Sequence, residues 1–118
     1  SVSKGSAYGL WLENNITQAE LKPIEGGDAA FEQFVNDKME ALASLRPRLV
    51  TDAAKLSGSR ILAGQFASVQ QAIGINKGHE AAYHWLKTFV EAAKANGLVG
   101  RLIAEFGVQG QLSVAPLA

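Results

Sequence analysis

The chain has 118 residues, of which 47% are hydrophobic and 19% charged, a composition typical of one folded α/β domain and not of a disordered segment. Its 11 basic residues balance 11 acidic ones, so no positive excess favours nucleic acid or an anionic membrane surface. The absence of cysteine excludes disulfides and cysteine-ligated metals, and no apolar run approaches the ~20 residues that span a bilayer.

The start of the chain predicts a strand, a helix and a second strand. A short extended segment at 1–4 leads through Gly5 into a helix over 7–15, with Ser6 available as its N-cap. Alternating apolar residues at 19–24 predict the second strand, ended by a proline and two glycines.

Two more helices and a strand are predicted next. Asp28 is placed to cap a helix whose apolar residues recur at i, i+3 and i+4 as far as Met39. The apolar run 41–45 predicts a buried strand. Arg46 and the proline after it open a third helix, which ends at Gly58.

The rest of the chain predicts extended segments followed by helices. Residues 60–63 predict a strand, and residues 69–76 are extended again. A long amphipathic helix begins near His79 and stops at Gly97. Another helix covers 98–106, and the tail after it is expected to be irregular.

This β-α-β-α-β-α-β-β-α-α order predicts an α/β fold with a mostly parallel, doubly wound sheet. The pattern changes after about Gly64, from alternating strands and helices to one extended stretch and a helical segment. We therefore expect two parts, residues 1–66 and residues 67–118.

An anion site is the main chemical prediction. The turn Gly5-Ser6-Ala7 between a strand and a helix exposes backbone N–H groups at a positive helix end, and Ser6 adds a hydroxyl. Arg46, at the carboxyl end of the third predicted strand, can clamp a carboxylate. Both features also fit an ordinary capped turn and a solvated arginine.

Other polar and aromatic residues indicate a function less clearly than this anion site does. Gln70 sits in the second extended segment, where its amide would line a cleft or cap a sheet edge. His79 and His84 are five residues apart, which places them on different helix faces, so no metal or cofactor is expected. No nucleophile elbow or forced carboxylate pair supports catalysis. Trp11 is the aromatic residue least clearly assigned to the core, because it shares the helix that begins at the anion site.

Four segments in order carry a resemblance to a known family: residues 2–12 with the motif VSKGSAY, 34–45, 69–78 with AIGINKG, and 82–107. Together they resemble the carboxy-terminal portion of family 3 extracellular solute-binding proteins of ABC transporters. The resemblance implies a periplasmic-binding-protein-like (type II) fold of two lobes with the ligand between them. Residues 1–66 would then supply most of lobe two, and residues 67–118 the return crossing strand and terminal helices of lobe one.

The resemblance also implies function. It predicts a binding protein and not an enzyme, located in the periplasm or otherwise outside the cytoplasm, which captures a small polar or anionic solute. Its implied partners are that ligand, a transporter permease and the remaining lobe, and a fragment with exposed apolar surface would self-associate. The family's ligand carboxylate meets donors at positions matching Gly5, Ser6 and Ala7, and Arg46 and Gln70 complete the predicted site.

One position departs from the family pattern. The family often has an aspartate for the ligand ammonium where this chain has Leu45, followed by Arg46. Leucine cannot pair with an ammonium, so we expect an anionic group facing Arg46. Two alternatives stay open: a dehydratase-like enzyme on the same fold, with Glu40 as its acid, and the ligand-sensing domain of a signalling receptor.

Overall fold

Parallel pairing around one central strand organises the start of the chain. The computed structural model describes all residues from Ser1 to Ala118. Strand β1 (Val2–Ser3) pairs in parallel with β2 (Pro23–Ile24), and Val2 also forms a parallel bridge to Ala43 on its other side. The spatial order is therefore β2, β1 and the Ala43 segment. Val2 is completely buried, as expected for the middle segment.

Three helices accompany these parallel segments: α1 (Ala7–Asn15), α2 (Gly27–Asn36) and α3 (Arg46–Lys55). Helix α1 begins where Gly5 adopts a φ of +70°, a conformation that glycine reaches without a steric penalty. Helix α2 packs against both strands and buries Ala30. All three predicted helices are confirmed, with the first matched at both ends.

The predicted sheet was too large. The second strand covers Pro23–Ile24, so the proline belongs to the strand instead of ending it. A proline is tolerated there because β2 is an edge strand. The run 41–45 contributes only the bridge at Ala43, 60–63 forms no strand, and 69–76 pairs with no other segment. Alternating apolar and polar residues are a local pattern, and they do not provide a second segment for backbone hydrogen bonds. A strand forms only where such a segment is present. The molecule is α/β in the general sense, with a small parallel sheet.

The start of α2 also differs from the prediction. Gly26 occupies the N-cap position with a φ of +90°, and Asp28 lies inside the first turn. The Asp28 carboxylate instead pairs with the Arg48 guanidinium at 2.7 Å, and Arg48 Nε donates to Asp52 on α3 at 2.7 Å. Asp52 is buried, and its Oδ1 accepts no hydrogen bond. Arg48 thus joins the start of α2 to α3.

The second part of the chain is helical. Helices α4 (Glu80–Ala95) and α5 (Leu98–Glu105) pack on each other and bury Ala93. Gly97, with a φ of +81°, makes the corner between them, and the Asn96 side chain accepts a hydrogen bond from the Leu98 N–H at 3.0 Å. The long helix, the stop at Gly97 and the last helix are all confirmed.

The chain divides into two compact units, residues 1–69 and residues 70–118. The sequence placed a boundary after residue 66; the assignment of the parts to two lobes of a larger protein stays a prediction. Large apolar side chains remain exposed in each unit, among them Leu62 in the first and Trp85 and Phe106 in the second. None of the helices has the length and apolar character to cross a membrane.

Candidate functional site

The carboxyl ends of the parallel segments meet at one edge of the small sheet. Lys4 follows β1 and Glu25 follows β2, and their side chains form an ion pair at 2.8 Å across this edge. The Ala43 segment leads to the same edge through Leu45 into Arg46. In open α/β sheets this edge is where ligands bind. The predicted Gly5 turn and Arg46 therefore follow adjacent segments at one edge.

Ser6 fixes the start of α1 through two hydrogen bonds. Its hydroxyl donates to the Ser3 carbonyl at 2.6 Å and accepts from the Gly9 N–H at 3.0 Å. The predicted N-cap is confirmed. Because the proton of the hydroxyl is committed to Ser3, Ser6 is a structural cap here rather than a free donor for a ligand.

Two other donors at this helix end remain open. The Ser6 N–H donates to Ser3, whereas the N–H groups of Ala7 and Tyr8 have no acceptor within the protein. Ala7 is exposed and Tyr8 half-buried, so these donors can reach an external group. Unsatisfied N–H groups and the helix dipole together favour an anion at such a position.

The charge balance at this edge depends on Arg46. Glu25 raises the pKa of Lys4 by accepting its hydrogen bond and by its negative charge, so Lys4 stays protonated but its charge is compensated. No carboxylate pairs with Arg46, which is the first residue of α3. The uncompensated positive charge therefore comes from Arg46 and the α1 terminus.

A connecting segment lies against both helices of this edge. We call residues 61–66 the strap. A guanidinium nitrogen of Arg46 donates to the carbonyl of Gly64, and the Phe66 ring contacts Trp11 of α1 with ring centroids 5.3 Å apart. The strap thus bridges Arg46 and α1. No sequence pattern indicated these two contacts, because residues 60–63 predicted a strand.

The remaining predicted residues lie elsewhere. Gln70 is exposed and is the first residue of the second unit. Glu40 precedes the Ala43 segment, so it lies at the amino end of the parallel segments, away from the Gly5 turn. His79 occupies the N-cap position of α4, and the His84 ring contacts Tyr83. No cluster of three metal-ligating side chains is present.

Two shallow hollows open on the surface, and neither is lined by a predicted site residue. One lies at residues 15–19, beyond the end of α1 opposite the Gly5 turn. The other lies between α4 and the last two residues.

Sequence reasoning also missed Gly9, which lies against the turn. A β-carbon at this position would stand 3.0 Å from the Ser3 carbonyl oxygen and 3.4 Å from a Val2 methyl. A glycine inside a helix costs about 1 kcal/mol relative to alanine, so its presence in α1 was a usable sign of close approach.

The comparisons with known proteins return no relative. No family model, curated protein or solved structure matches this chain. Its site is therefore characterised by its own geometry: a capped helix end with two open N–H groups, at the sheet edge to which Arg46 also belongs.

Proposed function

We propose that this chain captures a small anionic solute, amino-acid-like or a simple carboxylate, as part of a solute-binding protein that serves an ABC transporter. The observation that carries the proposal is the pair of open N–H groups on Ala7 and Tyr8, at the sheet edge that leads into Arg46. The transport role and a location outside the cytoplasm come from the resemblance to family 3 solute-binding proteins.

The order of the parallel segments supports this placement. With β1 in the middle, the chain first moves to one side, to β2, and then to the other side, to the Ala43 segment. Such a reversal creates a crevice outside the carboxyl ends of the strands, between the first and third segments. Gly5 and Arg46 follow those two segments. We propose a type II periplasmic-binding-protein-like fold for the complete protein, as the resemblance to family 3 solute-binding proteins implies.

The charges at the edge favour an anion over a zwitterion. Glu25, the carboxylate that follows β2, already pairs with Lys4. Leu45 stands where an ammonium-binding aspartate is often found in the family and is partly exposed. An anionic group would accept hydrogen bonds from Ala7 and Tyr8 and face the Arg46 guanidinium, whereas an ammonium would lack a partner.

The proposed mechanism is capture by closure of two lobes. Contacts to the second lobe exist only in the closed state, so a bound ligand shifts the population towards closure. A permease would then recognise the closed form. The 118-residue chain alone is expected to bind weakly, because it supplies only one side of the contacts.

A thermal-shift screen of the chain tests the proposal. The panel contains monocarboxylates, dicarboxylates, acidic amino acids, neutral sugars and diamines, and the anionic members should stabilise the protein selectively. For the best anion, Arg46→Ala should weaken binding at least about tenfold, because charge-assisted hydrogen bonds are lost. The control is Arg60→Ala, which removes an exposed arginine without an ion pair. Equal stabilisation by neutral solutes, or unchanged affinity in Arg46→Ala, would refute the proposal.

A further inference from the structure

Helix α4 carries an exposed apolar stripe. Ala82, Trp85, Phe89 and Ala92 follow one another at spacings of three, four and three residues, so they lie along one face of the helix. All four are exposed. The two rings in the middle are stacked, with centroids 5.4 Å apart and 6° between their planes, and they form one flat aromatic surface. We call these four residues the α4 stripe.

The charged residues of α4 do not interrupt this stripe. They project from the opposite side of the helix: Glu80, Lys87, Glu91 and Lys94. The tail of the chain is bound on that charged side, where the Lys94 ammonium donates to the Pro116 carbonyl at 2.8 Å and Glu91 accepts from the Ala118 N–H at 2.9 Å. The α4 stripe therefore stays apolar and open to a partner.

The chain exposes more surface than compact units of its size. Two separate compact units with the lengths of residues 1–69 and 70–118 would together expose about 7,400 Å². The chain exposes 8883 Å², and within residues 70–118 only Ala93 is buried. The surplus of about 1,500 Å² exceeds the roughly 800 Å² that each partner buries in a standard interface. The uncovered surface is thus sufficient for a stable dimer.

The α4 stripe is symmetric about its midpoint, with aromatic rings in the centre and an alanine at each end. When two α4 helices pair antiparallel about a two-fold axis, Trp85 of each copy faces Phe89 of the other, and Ala82 faces Ala92. Large side chains then meet large ones and small meet small. A parallel pair places every residue opposite its own copy and needs no such symmetry. Antiparallel pairing also brings opposite ends of the helix dipoles together.

We infer that a second copy of this chain covers the α4 stripe, in a two-fold symmetric dimer whose α4 helices pair antiparallel. The dimer gives the general expectation of self-association a defined surface and a defined geometry. It does not depend on the proposed anion site, which lies in the first unit. Failure of either proposal therefore leaves the other standing.

Sedimentation equilibrium of the 118-residue chain tests for the dimer. The mass should rise with concentration from 12.5 kDa to twice that value. Phe89→Glu should weaken association at least about tenfold, because two-fold symmetry places a carboxylate against Trp85 in both copies. The matched control is Tyr83→Glu: Tyr83 is 46% exposed against 47% for Phe89, but it lies about 120° around the helix from Phe89. This control should leave association unchanged. Circular dichroism should show the same helix content in both variants, since neither side chain is buried.

A pair of opposite charges tests the orientation of the helices. Trp85→Lys alone should weaken association as Phe89→Glu does. An equimolar mixture of the two variants should associate at least about tenfold more tightly than either variant alone, because antiparallel pairing places the new ammonium opposite the new carboxylate. In a parallel pair these two groups do not face each other, and the mixture gains nothing from their charges.

Four results would overturn the dimer as described. The first is a chain that stays monomeric up to about 1 mM, which would leave the α4 stripe to another partner or to solvent. The second is equal weakening by Tyr83→Glu and Phe89→Glu. The third is an assembly larger than a dimer that persists in Phe89→Glu. The fourth is a mixture of Trp85→Lys and Phe89→Glu that associates no more tightly than the separate variants.

Discussion

Gly9 approaches Ser6 so closely that a β-carbon on residue 9 would stand 2.8 Å from the Ser6 hydroxyl oxygen. The same oxygen accepts a hydrogen bond from the Gly9 N–H at 3.0 Å. One hydroxyl thus caps α1, ties it to the Ser3 carbonyl and fills the space next to Gly9. The open donors of Ala7 and Tyr8 are held in place by this contact.

Replacing Gly9 by alanine should destabilise the first unit. Helix propensity alone would favour alanine by about 0.5–1 kcal/mol, but the added methyl group would collide with the Ser3 carbonyl and the cap. Overpacking of this kind costs about 1–3 kcal/mol. Urea unfolding can be followed by Trp11 fluorescence in a Trp85→Phe background, because Trp11 is then the only tryptophan.

The control for Gly9→Ala is Gly100→Ala in α5. The nearest atom to a β-carbon at residue 100 is a Val114 methyl at 3.7 Å, an ordinary contact. This change should leave the second unit equally or more stable, by up to about 1 kcal/mol, measured from Trp85 fluorescence in a Trp11→Phe background. Similar losses for both glycines would show that close packing at Ser6 is not responsible.

Removing the cap should have a comparable effect. Ser6→Ala deletes the acceptor for the Gly9 N–H and the donor to Ser3, and loss of an N-cap costs about 0.5–2 kcal/mol. Ser57→Ala serves as the control, since Ser57 is exposed and its side chain makes no hydrogen bond. Urea midpoints measured by Trp11 fluorescence should fall for Ser6→Ala and stay within error for Ser57→Ala. A neutral Ser6→Ala would contradict the role of the hydroxyl.

Arg48 should matter more to stability than its exposed partner Asp28. Its hydrogen bonds to Asp52 and Asp28 raise the pKa of Arg48, and Asp52 is buried with one oxygen already unsatisfied. Arg48→Met leaves that carboxylate with only the Lys55 ammonium nearby, 3.9 Å from Oδ1, and we expect a loss of about 1–3 kcal/mol. Asp28→Asn breaks only an exposed pair and should cost less than about 1 kcal/mol. Equal losses in urea unfolding would argue against Asp52 as the dependent group.

The Ala118 N–H should lose its hydrogen bond to α4 in acid. Glu91 pairs with Lys94 at 2.5 Å and accepts from the Ala118 N–H at 2.9 Å, and both contacts lower the pKa of Glu91 below its ordinary value of 4.5. A carboxylate with a lowered pKa stabilises these contacts above the ordinary value and loses them as pH falls through the folded one. The Ala118 amide signal should therefore shift with a midpoint below pH 4.5.

Glu91→Gln provides the control for this pH dependence. It removes the titrating side chain, so the acid shift of the Ala118 signal should shrink to the part that the terminal carboxylate of the chain itself causes. A midpoint at or above pH 4.5 in the unmodified chain, or an equally large shift in Glu91→Gln, would show that another group controls the tail.

The helices followed from the sequence because their hydrogen bonds are local. Gly5 and Ser6 predicted the turn and cap of α1, and Gly97 predicted the corner before α5. Strands depend on partners distant in sequence. The alternation at 60–63 therefore predicted a strand where the structure has the strap, and the run 41–45 yielded one bridge.

For the candidate site, too, the local features were predictable from the sequence and the long-range contacts were not. The Gly5 turn is set by neighbouring residues, and the sequence located it. The Arg46–Gly64 and Trp11–Phe66 contacts join residues far apart in the chain, so no local pattern indicated them. The Ser6 hydroxyl was predicted as an open donor, whereas its bond to Ser3 appears only in three dimensions.

The proposed anion site is tested most directly by mapping which residues an anion contacts. In a ¹⁵N NMR titration with acetate, the amide signals of Ala7 and Tyr8 should show the largest saturable shifts, and Arg46→Ala should reduce them. Equal concentrations of acetamide, which has the same shape without the charge, should leave those signals in place. If the largest shifts instead fall at residues 15–19 or 87–95, or if acetamide acts like acetate, the proposed anion site is contradicted.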